Sequence, residues 1–188
     1  APKALPPFEA TQRALARERA QKALAAFVEK QIILEQGMQV DVWGTDLLAE
    51  ALTAAKQGDA DFVQERFPES LVAYDQAVTL ISDVLQEGER RHEQHLKNSQ
   101  AAVDILDYAA ASREVEAALL LKPTAPATQA LKTRVEKLPT IQTLLRDAKN
   151  HELGGRFDAA LARYEDVRQL DPFTTGLDAL ITPAQRGL

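Results

Sequence analysis

The strongest constraint on this chain is that part of it recurs. Residues 67–80 lie over residues 157–170 without a gap, and Phe67 with Phe157, Leu71 with Leu161, Tyr74 with Tyr164 and Leu80 with Leu170 coincide. A weaker copy starts at Tyr108 and runs through Ala111, Val115, Ala118 and Leu121 to Lys122-Pro123, as the last copy runs on to Asp171-Pro172. A further helical stretch precedes each copy, so the repeating unit is a helical hairpin. Self-similarity of this kind points to stacked units, none of which buries its apolar face alone. The pattern has a physical sense: an aromatic fills the space beside the turn, a small residue three later lets two helices approach, and a Tyr or aliphatic beyond it wedges against the next unit. Proline then stops the second helix.

Composition agrees. Of 188 residues 45% are hydrophobic but only 5% aromatic, and the apolar content is rich in alanine, which suits close helix contacts better than a β-sandwich. A formal charge of −6 without clustered Lys and Arg argues against nucleic acid. No apolar run reaches the length of a membrane span. The absence of Cys excludes disulfides, thiol catalysis and Cys-based metal sites.

Before the repeats, residues 8–36 lack Gly and Pro and mix Ala, Leu and Val with Arg, Glu, Gln and Lys, which predicts one long amphipathic helix stopped by Gly37. An irregular connection through residue 44 follows, and then a helix from Thr45 that Thr45 or Asp46 can cap. The order is therefore a Pro/Ala linker at 1–7, the long helix and its connection at 8–44, the repeats at 45–172, and a capping segment at 173–188. The opening Ala1-Pro2-Lys3-Ala4-Leu5-Pro6-Pro7 reads as a linker remnant, with an expected signal or membrane anchor upstream and a C-terminal segment expected to be cut short. The alternative is a cytosolic chain.

The last copy resembles a tetratricopeptide repeat (TPR): Leu144, Ala148, Gly155, Phe157, Ala160, Tyr164, Val167 and Pro172 fall on signature positions, with His151 where an aromatic is usual. The first copy keeps Gly58, Phe67, Tyr74 and Ala77, with Ser70 for the small residue and no terminal Pro; the second keeps Tyr108, Ala111, Ala118 and Pro123, with Ser99 on its first helix. The resemblance implies an all-α, TPR-like α-solenoid of about three hairpins behind a long N-terminal helix. The openers Phe67, Tyr108 and Phe157 are 41 and 49 residues apart, against about 34 in the usual repeat. Extra residues must lengthen or insert helices, and residues 124–155 are the expected place. There Pro139 either kinks one helix or opens a new one; two segments meeting near it are expected.

No catalytic constellation is legible, and neither an enzyme nor a cofactor is expected. His92 and His95, three apart, could chelate a divalent ion with Glu89, but Arg90 and Arg91 beside them favour a plain charged helix face. Ser70, Ser82, Ser99 and Ser112 sit inside helical patterns, where hydroxyls bond back to carbonyls. Gly154-Gly155 lacks the Lys-Ser/Thr of a phosphate loop and reads as a hairpin turn. Carboxylates at Glu114/Glu116 and Glu165/Asp166 point apart on a helix. Trp43 is expected to plug the junction between the long helix and the first hairpin. What remains is a surface. By resemblance Gln142, Leu145, Arg146, Lys149 and Glu152 line a groove for a peptide or a partner's helix. The positions of a chaperone-type carboxylate clamp hold Ala55 and Asp59, with only Arg146 fitting, so capture of a chaperone C-terminus is not expected. The layout also resembles periplasmic, membrane-anchored TPR proteins of Gram-negative bacteria, which implies a non-enzymatic protein-binding scaffold in envelope assembly or signalling. The alternative is a structural, self-assembling spacer whose first helix packs on a second copy.

Overall fold

The computed structural model of the chain describes residues 5–187, and all its regular structure is helical. In order these are α1 (Pro7–Ile32), a π-helical turn (Ile33–Gly37), α2 (Val40–Trp43), α3 (Thr45–Val63), α4 (Phe67–Asp104), α5 (Tyr108–Leu121), α6 (Pro126–Leu153), α7 (Phe157–Leu170) and α8 (Leu177–Arg186). Two compact units divide the chain, Ala1–Arg91 and His92–Leu188, and the boundary falls within α4. The linker expected at residues 1–7 lies partly outside the described residues.

In the first unit, α1 buries one stripe, Ala20 and Phe27, which Leu34 of the π-turn continues at the same seven-residue spacing. Phe27 and Leu34 join Met38, Val40, Leu48, Ala51, Ala55, Ala77, Ile81 and Val84 in one core. The long helix is thus as expected except at its end. The connection is tighter than expected, because Val40–Trp43 forms a helical turn of its own. Capping differs as well: Gly44 occupies the N-cap of α3, and the Thr45 hydroxyl donates back to the Asp41 carbonyl at 2.9 Å. Asp46 still sits in the first turn, where a negative charge suits the helix dipole. Trp43 plugs the junction. Its indole N–H donates to the Met38 carbonyl at 2.8 Å, Arg91 stacks 5.2 Å from its ring centre, and a Cβ on Gly88 would approach its ring to 3.0 Å.

The second unit has two cores. One joins Ala102, Val103, Ala111, Val115, Leu131, Val135 and Leu138; the other joins Ile141, Ala148, Ala160, Tyr164, Val167, Leu177 and Ala184. Buried Asp171 receives Arg134 Nε at 3.0 Å, while Arg134 Nη1 donates to Gln100 at 2.9 Å, so one guanidinium links α4, α6 and the end of α7.

The same turn closes three hairpins. Between α3 and α4 the Glu65 N–H donates to Phe62 O and the Arg66 N–H to Asp61 O; between α4 and α5 Leu106 donates to Val103 O and Asp107 to Ala102 O; between α6 and α7 Gly155 donates to Glu152 O and Arg156 to His151 O, each at 2.9 Å. This is the Schellman ending, with a left-handed residue at Glu65 (φ 58°), Leu106 (φ 59°) and Gly155 (φ 69°). Only the third copy carries the glycine that adopts this conformation without cost.

From each opener the burial follows one register. Three on are Ser70, Ala111 and Ala160; seven on, Tyr74, Val115 and Tyr164; ten on, Ala77, Ala118 and Val167; nine before, Gly58, Ser99 and Ala148; all are buried. The openers themselves diverge. Phe67 is buried beneath Arg13 and Arg17, and Phe157 is half-buried, but Tyr108 is 42% exposed, against expectation. Leu106 of the same turn packs into both cores of the second unit and fills the space instead. Pro123, Gly155 and Pro172 are exposed and act through the backbone.

The stretched spacing comes from two long helices. α4 has 38 residues and serves as the second helix of one hairpin and the first of the next. α6 has 28 residues and contains Pro139 without interruption, so the two expected segments are one helix. Leu131, Val135, Leu138 and Ile141 keep one buried stripe on both sides of the proline, and that packing outweighs its missing hydrogen bond.

Candidate functional site

The five expected groove residues all lie on α6, but not in one role. Gln142, Arg146 and Lys149, spaced four and three apart, form an exposed stripe. Leu145 turns toward the core of Ile141 and Ala148. Glu152 holds the hairpin, accepting the Tyr164 hydroxyl at 3.0 Å and facing Lys149 Nζ at 3.1 Å. Gln142 donates to the Leu106 carbonyl. Arg146 pairs with no other described residue. Ala55 is buried and Asp59 accepts the Tyr74 hydroxyl at 2.6 Å, so neither clamp position is free.

The phenols of Tyr74 and Tyr164 occupy matched sites. Burial, and after it the carboxylate that accepts each hydroxyl, pushes both up to about 12.

The histidine pair comes apart in space. His92 is buried, with Nε2 2.8 Å from Thr128 Oγ1 on α6, whereas His95 Nδ1 lies 2.8 Å from Glu114 Oε2 on α5. His92 therefore does not belong to a solvated charged face. The His95 contact, aided by Asn98, holds Glu114 below the usual carboxylate range. Among the described residues no group of three or more His, Asp or Glu could hold a metal ion. Ser70 and Ser99 are buried and bonded to carbonyls, and Ser82 donates to Val78 O at 2.6 Å. None faces an open cavity with a base beside it.

The first unit carries two grooves that the repeat signature does not mark. One, of about 810 Å³, runs between the first turns of α1 and the start of α4, with Phe8, Leu15, Pro68 and Leu71 among its walls. The other lies between α3 and α4 in two adjoining parts of about 610 and 440 Å³ that share Glu50 and Leu80. Its apolar floor includes Leu47, Ala54, Leu80 and Val84, and Glu50, Asp83 and Glu87 supply carboxylates. Arg90, and then Arg91, hold Glu87 down to about 2, while Glu50 and Asp83 pair with no other described residue. Only the acidic, amphipathic composition of these two helices hinted at the groove, because both of its walls are polar in ordinary helical alternation.

No helix among the described residues is long and apolar enough to cross a membrane. Comparison with family models, with curated proteins and with solved structures finds no match for this chain.

Proposed function

We propose that the chain is a TPR-like solenoid whose role is to bind another protein, acting as a scaffold without chemistry of its own. The observation that carries this reading is the threefold recurrence of one hairpin: the same Schellman turn at Glu65, Leu106 and Gly155, with the same buried register around it. Hairpins of this form spend their apolar faces on one another and offer exposed helix faces to a partner. Gln142, Arg146 and Lys149 are the exposed stripe on the most regular copy, and they are the proposed contact. The layout that resembles periplasmic, membrane-anchored repeat proteins supports a place in the bacterial envelope, in assembly or signalling.

The test is site-specific photocrosslinking in the source cell. A photoreactive residue at Gln142, Arg146 or Lys149 is expected to capture one discrete protein that a probe at Arg163, on α7, does not. Equal capture at all four positions, or none at any, refutes the reading.

A second reading is self-assembly. The observation favouring it is α1 and the π-turn that ends it, which leave Phe8 74%, Ile32 47% and Ile33 47% exposed in a chain poor in aromatics.

A further inference from the structure

We propose that the stripe of α1 bordering its open groove with α4 docks into the α3/α4 groove of a second copy, giving a head-to-tail assembly. This rests on the self-assembly reading and gives it a specific geometry.

The two surfaces complement each other in apolar character and in charge. Phe8, Leu15, Arg19 and Lys22 are spaced seven, four and three apart, so they share one side of α1. Phe8 is 74% and Leu15 39% exposed; Arg19 and Lys22 share one exposed carboxylate, Glu18, which Lys22 meets from one turn away and Arg19 only flanks. The stripe is therefore apolar at its start and cationic at its end, and spans about 21 Å at 1.5 Å per residue.

The groove has the opposite character. Leu47, Ala54 and Leu80 offer an apolar floor beside the carboxylates of Glu50 and Asp83, which form no ion pair among the described residues; Arg91, the cation lining the same part, is held by Glu87. Its α3 wall, from Leu47 to Gln57, is about 15 Å long, enough to seat most of that stripe. The Glu18–Lys22 pair is a weak obstacle, since exposed ion pairs of this spacing contribute little. Because groove and stripe are different surfaces of one molecule, each copy offers its stripe to one neighbour and its groove to another, and mass grows beyond the dimer; a reciprocal two-fold pair would stop there.

Sedimentation at low salt over a wide concentration range tests this. The wild type is expected to gain mass with concentration and to lose it as salt is added. Glu50→Lys with Asp83→Lys, and separately Arg19→Glu with Lys22→Glu, are expected to weaken association at least about tenfold, roughly the effect of 1.4 kcal/mol. All four positions are exposed, so the folds stay intact by circular dichroism. An equimolar mixture of the two double variants restores association, since each groove then meets a complementary stripe. If the groove variant associates as the wild type does while the α1 variant does not, α1 packs on α1; the head-to-tail geometry falls and self-assembly stands. A monomer at every concentration and salt overturns both.

Discussion

A hydroxyl changes sides between two equivalent hairpins. In the first, Ser70 on the second helix donates to the Gly58 carbonyl on the first helix at 2.9 Å; in the next, Ser99 on the first helix donates to the Ala111 carbonyl on the second, also at 2.9 Å. The positions are the same pair in the repeat register, and in the third hairpin they are Ala148 and Ala160, with no hydroxyl at all. A small residue is what the crossing needs; the hydroxyl is an addition that either helix can supply. Ser99→Ala should therefore cost about 1 kcal/mol, the net contribution of a buried hydrogen bond, and adding Ala111→Ser should recover most of it by donating to the carbonyl of residue 99. Urea melts of the two variants decide the matter. If the second substitution deepens the loss, the two sites are not equivalent. The sequence showed which residues were small and why, but not this exchange, because a serine inside a helix pattern does not reveal which carbonyl it reaches. The left-handed turn residues were equally hidden at Glu65 and Leu106, since only Gly155 announces such a backbone. There the surrounding hairpin holds a conformation that costs an ordinary side chain about 1–2 kcal/mol.

Helix ends explain where elements were legible and where they were not. Pro123 and Pro172 each stand fifteen residues after their opener and end α5 and α7; the matching position of the first copy is Ser82. The first copy's missing proline was visible in the sequence, and its consequence is that α4 runs on through 38 residues into the next hairpin. Nothing local stops it, because the one glycine in that stretch, Gly88, is packed under Trp43 and Met38 rather than placed at a turn. Pro139 shows the converse. Its local preference pointed to a break, yet Val135, Leu138 and Ile141 bury one continuous stripe across it, and tertiary packing overrides propensity. α6 then carries an avoidable cost: a missing N–H donor and a ring crowding the Val135 carbonyl. Pro139→Ala should raise the stability of the second unit by about 1–3 kcal/mol, since proline inside a helix costs about 3 kcal/mol relative to alanine. Thermal melts read this directly. No gain, or a loss, would mean that α6 is bent at Pro139 in a way its packing requires.

At the scale of the molecule, α4 belongs to both compact units, and the question is whether they unfold together. Each unit has cores of its own, one from Phe27 to Val84 in the first and two, from Ala102 to Leu138 and from Ile141 to Ala184, in the second. A helix alone transmits stability weakly, because most of a protein helix's stability comes from packing of its apolar face. Local opening should therefore follow the cores, unit by unit. Gly58→Ala is a suitable perturbation. A Cβ there would stand 2.4 Å from the Tyr74 ring, which is buried and anchored by its hydroxyl to Asp59, so the ring cannot swing clear. Overpacking of this kind costs about 1–3 kcal/mol, and the better helix propensity of alanine returns at most about 1 kcal/mol. The net effect should be a loss of about 1–2 kcal/mol confined to the first unit. Hydrogen exchange measured residue by residue separates the cases. Protection of the α3 amides should fall about tenfold per 1.4 kcal/mol while that of α7 stays as it was. An equal fall in both would show that α4 couples the units into one cooperative fold, and Ser99→Ala would then have to lower protection across the first unit as well.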